Sequence, residues 1–441
     1  MKLSTRNYSG VAVRLATTLG HISSGGAHLA FSHYRRGGIS QGAAVNMRRR
    51  FEALGPTYVK FGQLIASSPG VFPAVVADEF QRLLDRVSPV NPDAIEAVLI
   101  AELGRPIGEI FETFDLTPIA SASMAQVHAA TLRTGEAVVV KVQRPGIRRI
   151  VATDIPILSG AAGLLEISRR VRMLGLRDIV EDLAADLDDE LHFRREAAAM
   201  ESWAEAISGS EFADQVRVPK VYWRHTTNKI LVMERLEVTR MDDVQAIGDA
   251  GHDGVRLIKT LLLVLLESIF RRGIFHGDLH AGNVQVDAQG RVVLLDWGIT
   301  GRFDLERAQV LRELIVALMV TDDMSAASKA MLKLGAIGRP AQHKRAVSDI
   351  RSLTVPLGTA ELGRISYADL AKQILDLGDV YQLKLPRDLV LVVKQLLYVE
   401  RYIKLLAPQW KPAKDQEVVG YLAALVLAGS AEAASDPTQE T

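Results

Sequence analysis

The chain has 441 residues, of which 48% are hydrophobic, a composition typical of globular rather than disordered proteins. Lysine plus arginine equals aspartate plus glutamate at 52 each, so net charge gives no argument for nucleic acid binding. The chain has no cysteine, which excludes disulfides, thiolate metal sites and a thiol nucleophile.

Residues 1–50 form a basic segment at the start of the chain. The first fifty-one residues contain no aspartate or glutamate. Three interpretations remain open, namely contact with an anionic membrane surface, an organelle transit peptide, and a frayed soluble terminus. A secretory signal peptide is not expected, because no uninterrupted apolar run leads to a small-residue cleavage site. The basic residues are Lys2, Arg6, Arg14, Arg35, Arg36, Arg48, Arg49 and Arg50.

The next segment, residues 51–112, has helical periodicity. Asn91 before Pro92 is typical of a helix start. The most apolar run of the whole chain, residues 257–270, is interrupted by two charged residues and is too short to span a bilayer. It therefore predicts a buried core helix, and no transmembrane helix is expected.

Residues 113–236 have the pattern of a small lobe, in the order strand, strand, helix, strand, strand. A turn at Thr134 would place Lys141 opposite Val127 in two antiparallel strands. A lysine inside an apolar strand is unusual, and from there Lys141 could reach nucleotide phosphates. The small residues at 120–123 would let the backbone approach the same phosphates. Such a lysine needs an acidic partner, and the helix that follows offers several.

Residues 237–429 are mostly helical after an opening hairpin, and residues 430–441 are expected to be a disordered tail. Folding the hairpin about its turn brings Asn283 close to Asp296. The side-chain oxygens of these two residues are hard ligands, which together suit one Mg²⁺. Asp278 precedes Asn283 on a loop, where it would face an acceptor hydroxyl. This is the arrangement of a kinase catalytic loop followed by its metal-binding aspartate.

A zinc site is an alternative interpretation of this stretch, since His276 and His280 are four residues apart. Gly277 and Gly282 argue against the helix that such a pair needs, and no glutamate follows His276 as in a zincin motif. A further alternative is a hairpin whose aspartates merely cap turns. Magnesium-dependent phosphoryl transfer is the preferred interpretation.

Several motifs follow one another along the chain, and together they resemble the UbiB/AarF family of atypical kinase-like proteins. That family is linked to ubiquinone and other isoprenoid-quinone pathways. The resemblance covers roughly residues 54–302 and implies an α+β, atypical protein-kinase-like fold. Its parts would be a helical extension over residues 51–112, a small mixed N-lobe and a mainly helical C-lobe. The motifs are LGPTYVKFGQ, ASAS, VVVKVQRPGI, ELHFRRE, HGDLHAGN and LLDWG.

The resemblance implies ATP and Mg²⁺ as cofactors. Lys141, held by Glu196, would bind the α- and β-phosphates. Asn283 and Asp296 would bind Mg²⁺, while Asp278 would act as the base or orient the acceptor. The backbone around Glu234 and Leu236 would meet adenine at the interlobe hinge. The nucleotide loop would comprise Ile119, Ala120, Ser121, Ala122, Ser123, Met124, Ala125, Gln126 and Val127.

The motif at Lys60 and Gln63, together with Glu190, would gate access to the pocket. The chain departs from the family pattern in several places. Serine replaces alanine at Ser121, where its hydroxyl could still donate to phosphate. His192 replaces an aspartate that would lie near Lys60. Trp297 replaces a phenylalanine.

Two further positions differ from ordinary protein kinases. Gly277 stands where those enzymes have an arginine before the catalytic aspartate, and His280 stands in the place of their catalytic-loop lysine. No long activation segment follows Gly298. The resemblance therefore implies no conventional phosphorylation of protein substrates.

The implied function is kinase or ATPase activity on a small or lipid-related target, in support of isoprenoid-quinone metabolism. The alternatives are a small-molecule phosphotransferase of the aminoglycoside or choline-kinase type, and an ATP-binding, lipid-sensing pseudokinase scaffold. The expected partners are ATP, a lipid or quinone precursor, and a membrane surface contacted through the basic N-terminus, but no nucleic acid. The expected location is cytoplasmic, or peripheral on the inner face of a membrane.

Overall fold

The chain folds into two compact units. Unit 1 consists of Met1–Glu196 and Val221–Arg235, and unit 2 of Ala197–Lys220 and Leu236–Thr441. Residues 197–220, which the strand pattern had placed in the small lobe, thus belong to unit 2. The computed structural model describes residues 14–18, 20–21, 39–66, 73–83, 88–167, 176–319, 324–333 and 387–434.

Helices occur in both units and alternate with short strands through the middle of the described chain. One of them, α8, begins in unit 1 and continues into unit 2. A π-helical turn, Ser268–Arg272, extends α10. The helices are α1 (Gln41–Leu54), α2 (Pro56–Ala66), α3 (Ala74–Phe80), α4 (Pro92–Leu103), α5 (Ile107–Ile110), α6 (Ile147–Leu165), α7 (Leu176–Glu190), α8 (Phe193–Ser208), α9 (Val244–Asp249), α10 (Gly254–Glu267), α11 (Leu305–Met319), α12 (Met324–Lys333), α13 (Arg387–Leu406) and α14 (Gln416–Ala434).

The strands form one sheet in unit 1 and two sheets in unit 2. They are β1 (Phe111–Phe114), β2 (Ala120–Ser121), β3 (Ala125–Leu132), β4 (Ala137–Gln143), β5 (Val216–Arg217), β6 (Ile230–Glu234), β7 (Val238–Arg240), β8 (Ile274–His276), β9 (Val284–Asp287), β10 (Val292–Leu294) and β11 (Thr300–Arg302). Unit 1 has the order β1-β3-β4-β6, with β2 paired to β3, and unit 2 has β5-β10-β9-β7 and β11-β8.

Two strand pairings predicted from the sequence are confirmed. Val127 lies opposite Lys141 in the antiparallel pair β3–β4. The hairpin after Asn283 forms as β9 and β10. Strand β5 differs from the expectation, because it lies in unit 2, where it pairs in parallel with β10, and not in the small lobe.

The helical part of unit 1 surrounds a hydrophobic core that includes the KFGQ helix, α2. Phe51 packs on the Phe80 ring with centroids 5.0 Å apart. A Cβ atom at Gly62 would lie 2.2 Å from Leu83 Cδ1 and 3.3 Å from each of these two rings. Glycine therefore lets α2 approach this core without displacing the Leu83 side chain. The predicted helix start at Asn91 is also confirmed, since its side chain caps α4.

Two arginines of the basic N-terminal segment are internal ion-pair partners. Arg14 donates to both carboxylate oxygens of Asp154 at 2.7 and 2.6 Å, and Asp154 is fully buried. Arg48 donates to Glu79, which is also buried, at 2.8 Å. These two charges thus stabilise unit 1. Lys2, Arg6 and the pair at residues 35–36 lie outside the described residues.

Unit 2 has its core around α10, the most apolar run of the sequence, which is confirmed as a buried helix. Nearby, the Trp203 and Trp297 rings pack at 5.0 Å, and Trp203 Nε1 donates to Ser268 Oγ at 2.9 Å. Trp297 thus fills a buried site in place of the family's phenylalanine. The last helix runs to Ala434, five residues into the expected tail; residues 435–441 lie outside the described part. Within the described ranges, no helix has the length and apolar character needed to cross a bilayer.

Candidate functional site

The candidate nucleotide loop of unit 1 is a tight hairpin formed by β2 and the start of β3. Ala120 pairs with Val127, and the Ala122 N–H donates to the Ala125 carbonyl at 2.9 Å. Between these two alanines lie Ser123 and Met124, both buried. The chain therefore reverses direction over these two residues.

The flanks of this hairpin are tied to the rest of unit 1. The Ile119 N–H donates to the Val127 carbonyl at 2.8 Å, while the Ile119 side chain is 55% exposed. Gln126 is fully buried, and its Oε1 accepts from the Val90 N–H at 2.6 Å. The hairpin is thus anchored on one side and solvent-facing on the other.

Arg144, directly after β4, is hydrogen-bonded to the candidate nucleotide loop. Its guanidinium donates to the Ser121 hydroxyl and the Ala122 carbonyl at 2.8 Å each, and to the Ser88 carbonyl at 3.0 Å. Because the Ser121 oxygen accepts from Arg144, its own hydrogen is left to donate elsewhere. Serine therefore serves here as a link between the loop and Arg144.

We predict that Arg144→Lys will loosen this loop. An ammonium cannot reproduce the planar fork, so about two of the three hydrogen bonds should be lost. The free energy of unfolding should fall by about 1–3 kcal/mol, and ATP affinity should fall with it. Urea unfolding and a binding titration measure the two effects, with Arg149→Lys on exposed α6 surface as control. Unchanged values for both would contradict the role given to Arg144.

Lys141 and Glu196 form the ion pair expected of a nucleotide-binding lysine and its helical partner. Lys141 Nζ lies 2.8 and 3.0 Å from the two Glu196 oxygens. Glu196 is 2% exposed, and the Phe193 ring lies 5.1 Å from the ammonium. A buried carboxylate and an aromatic face hold the ammonium in one place, which is the requirement for a group that contacts phosphate.

The expected hinge coincides with a crossing of the chain between the units. Glu234 is the last residue of β6, where it pairs with Val138. The Arg235 N–H donates to the Ala137 carbonyl at 3.0 Å. The chain passes from unit 1 to unit 2 between Arg235 and Leu236.

The residues expected to gate the pocket lie in unit 1, where Lys60 and Glu190 form an ion pair. Lys60 Nζ lies 2.7 Å from Glu190, and Gln63 Nε2 donates to the Leu83 carbonyl at 3.4 Å. His192, in place of the family's aspartate, contacts Arg148 and the Asp188 carbonyl. Both side chains of the Lys60–Glu190 pair are partly exposed, so the pair contributes only about 0.2–1 kcal/mol to stability.

The candidate catalytic loop of unit 2 begins at His276, the last residue of β8. His276 Nδ1 accepts from the Asp278 N–H at 3.0 Å, so Nε2 carries the proton that is donated to the Leu295 carbonyl at 2.9 Å. Burial lowers the pKa of this histidine, which keeps it neutral. Both ring nitrogens are thus engaged, and His276 links the catalytic loop to the end of the hairpin.

Gly277 is required for the same loop to pack against the strand that follows it. A Cβ atom at this position would lie 2.6 Å from Ile299 Cγ2 and 3.0 Å from the Ile299 carbonyl oxygen. The Gly277 N–H donates to that same carbonyl at 2.9 Å. There is no room for the arginine that ordinary protein kinases place here.

Asp278 lies between a lysine and a histidine. Lys394 Nζ, from α13, lies 2.9 Å from Oδ1, and His280 Nε2 lies 3.8 Å from Oδ2. Burial works to raise the pKa of Asp278, but the positive charge of Lys394 and the neighbouring His280 outweigh it and lower that pKa. Burial and the Asp278 charge also raise the pKa of the Tyr398 hydroxyl, which is hydrogen-bonded to Asp278. Asp278 is therefore an ionised, oriented acceptor.

Asn283 and Asp296 are brought together by the hairpin. Asn283 Nδ2 donates to the Asp278 carbonyl at 3.0 Å, which turns Oδ1 towards other partners. The Leu295 N–H donates to the Asn283 carbonyl at 2.8 Å. Because Asp296 is the next residue after Leu295, this bond brings the Asp296 backbone close to Asn283. Asp296 has a positive φ of 53°, which aspartate tolerates better than most residues.

The donor set of this pair fits Mg²⁺ better than zinc. An amide oxygen and a carboxylate are hard ligands, which Mg²⁺ supplements with water and phosphate oxygens. Throughout the described ranges, no group of three or more histidines, aspartates and glutamates could hold a metal ion. If Mg²⁺ binds, Asn283 and Asp296 are the residues that would hold it.

Helix α13 fixes the backbone of the candidate catalytic loop. Gln395, which is fully buried, accepts from the Leu279 N–H at 2.8 Å and donates to the Gly277 carbonyl at 2.7 Å. The Tyr402 hydroxyl donates to the Leu279 carbonyl at 2.9 Å. The residues on both sides of Asp278 are therefore held by side chains from one helix.

Two family models match this chain. The ABC1 atypical kinase-like domain matches residues 82–331, more than half of the chain, and the UbiB helical domain matches residues 350–411. The chain belongs to the ABC1/UbiB atypical kinase-like family. A kinase-like domain of this family implies nucleotide binding, and the protein is a probable atypical kinase.

Several relatives of this family are similar over most of their length. A Mycobacterium tuberculosis protein is 47% identical over 402 residues, covering 91% of this chain and 82% of that protein. An Arabidopsis thaliana chloroplastic aarF domain-containing protein kinase is 33% identical over 397 residues, covering 84% and 73%. A probable protein kinase UbiB from Azotobacter vinelandii is 33% identical over 382 residues, covering 85% and 70%.

One solved structure shares the fold of this ABC1/UbiB protein. The complex of Rv3197 with erythromycin from Mycobacterium tuberculosis has a TM-score of 0.53 at 22% identity, and the match covers 88% of this chain and 93% of that one. At this identity the likeness supports the α+β, kinase-like fold and nothing about ligands.

Sequence reasoning missed three residues that the structure connects to the family motifs. Arg144 had a local signal, because it stands inside VVVKVQRPGI, directly after the strand that carries Lys141. Lys394 and Gln395 had none, since they lie more than a hundred residues after the loop that they contact. Only the folded chain shows that α13 belongs to the candidate site.

Proposed function

We propose that this ABC1/UbiB protein binds Mg-ATP and transfers or hydrolyses its γ-phosphate, in support of isoprenoid-quinone lipid metabolism. The observation that carries the proposal is the pair of Lys141 with buried Glu196. An ion pair at 2.8 Å between strand β4 and helix α8, with its carboxylate buried, is a costly arrangement without a ligand to bind. In kinases this pair positions the α- and β-phosphates.

The chemistry of the proposed reaction follows from the unit 2 loop. Asp278 orients the acceptor hydroxyl or water and takes its proton as the new oxygen–phosphorus bond forms. The bond between the γ-phosphorus and the β,γ-bridging oxygen breaks, and ADP leaves. Mg²⁺, held by Asn283 and Asp296, would neutralise phosphate charge.

The absence of an arginine before Asp278 supports a small or lipid-related acceptor over a conventional protein substrate. In ordinary protein kinases that arginine binds a phosphorylated activation loop, and at Gly277 a side chain would collide with Ile299. The HGDLH stretch is shared with aminoglycoside and choline kinases, but the KFGQ helix and the alanine-serine loop favour the UbiB type. A peripheral membrane contact through the basic N-terminus completes the proposal.

The test is ATP hydrolysis by the purified full chain, with and without anionic liposomes and a phenol that mimics a quinone precursor. We expect hydrolysis that rises with each addition. Phosphate recovered on a small hydroxyl compound would favour the small-molecule phosphotransferase instead. Mg-ATP binding without turnover under any of these conditions would favour the pseudokinase scaffold.

A further inference from the structure

We propose that Lys394 is a positioning residue for the reaction, supplying from α13 the fixed positive charge that ordinary kinases carry inside the catalytic loop. This inference rests on the proposed function and concerns the same site. The geometry behind it is the contact of Lys394 Nζ with Asp278 Oδ1 at 2.9 Å, across 116 residues of sequence.

The catalytic loop itself has no lysine. Its counterpart, His280, accepts the Gly282 N–H at Nδ1, at 2.9 Å, and its Nε2 reaches only to 3.8 Å from Asp278. An imidazole is not a permanent cation near neutral pH, whereas an ammonium is. Lys394 therefore restores a charge that the loop sequence lacks.

The contact differs from an ordinary surface ion pair, which contributes little because two mobile side chains must be ordered. Here the adjacent residue, Gln395, is fully buried and bonded to the loop backbone on both sides of Asp278. The Tyr398 ring, one turn later, lies 5.7 Å from the Lys394 ammonium. The position of Lys394 is therefore largely set before the ion pair forms.

Asp278, the partner of Lys394, remains partly accessible to a substrate. Asp278 is 21% exposed, while Lys394 is 40% exposed. The ammonium can thus hold one Asp278 oxygen and leave the other to face an acceptor hydroxyl. Helix α13 lies within the match to the UbiB helical domain, so this domain contributes directly to the catalytic loop.

The test compares three variants of the full chain. Lys394→Gln should lower kcat for Mg-ATP turnover by about 10- to 100-fold, the usual effect of removing a partner of a reacting group. The Kd for Mg-ATP and the melting temperature should not change. Lys394→Arg should recover most of the rate, because it restores the charge. Lys404→Gln, on the same helix and paired with Glu400 at 3.3 Å, is the matched control and should keep the wild-type rate.

Three results would overturn the role of Lys394 alone. The first is a wild-type rate in Lys394→Gln. The second is a parallel loss of Mg-ATP affinity or melting temperature in that variant, which would indicate a structural role. The third is a failure of Lys394→Arg to restore the rate. Failure of the proposed function looks different, since the wild-type protein would then not turn over Mg-ATP, whether or not it bound the nucleotide. That result would remove both proposals together.

Discussion

Substitution of Asp296 by asparagine should abolish the magnesium-dependent stabilisation of the protein by ATP. Asparagine tolerates the left-handed backbone at this position as aspartate does, so the change removes charge without adding backbone strain. An amide oxygen is a much weaker ligand for Mg²⁺ than a carboxylate. At a ligand concentration about 100 times Kd, bound ATP stabilises a protein by about 2.7 kcal/mol, and this entire contribution should disappear.

The measurement is the shift in melting temperature with Mg-ATP, with ATP plus EDTA and with no ligand. Asp249→Asn is the charge-matched control, because Asp249 is an exposed residue at the end of α9 in the same unit. It should keep the full Mg-ATP shift. If Asp296→Asn also kept the full shift, Asp296 would not be a metal ligand.

Substitution of Asp278 by asparagine should have the opposite profile, with binding kept and turnover lost. Asparagine has nearly the same shape but cannot accept a proton, so we expect kcat to fall by about 10²- to 10⁴-fold. Mg-ATP should still bind, because Lys141, Asn283 and Asp296 are unchanged. Single-turnover hydrolysis and a binding titration on the same preparation separate the two quantities.

This result also distinguishes the enzyme from the scaffold. A scaffold needs nucleotide binding only, so Asp278→Asn would behave like the wild-type protein in every assay. A fall in turnover together with unchanged binding is expected only if Asp278 takes part in chemistry. Equal turnover in both proteins would instead place the observed hydrolysis outside this loop.

Short-range features of both units were predictable from the sequence. The register of Lys141 against Val127 followed from one turn at Thr134 and from the alternation of apolar residues on either side. The hairpin after Asn283 followed from the same reasoning. In both cases the strands are neighbours in sequence, so turn chemistry and the two-residue period are enough to define the pairing.

Long-range pairings were not predictable in the same way. Strand β5 pairs in parallel with β10, and two residues carry no signal that selects one sheet over another. The contact of Lys394 with Asp278 depends on how α13 packs, which hydrophobic periodicity alone does not determine. The partner of Lys141, Glu196, came from the family motif and not from the residue pattern, which offered several acidic candidates.

Because Gln395 and Tyr402 are hydrogen-bonded to the backbone of the catalytic loop, the order in which the ribosome makes the loop and α13 matters. The ribosome makes the segment around Asp278 well before α13, and domains generally fold as they emerge. Until α13 is made, the Gly277 carbonyl and both Leu279 backbone groups lack these partners. The chain would therefore gain its reactive loop only after α13 has been translated, which would keep nascent chains that still lack α13 from consuming ATP.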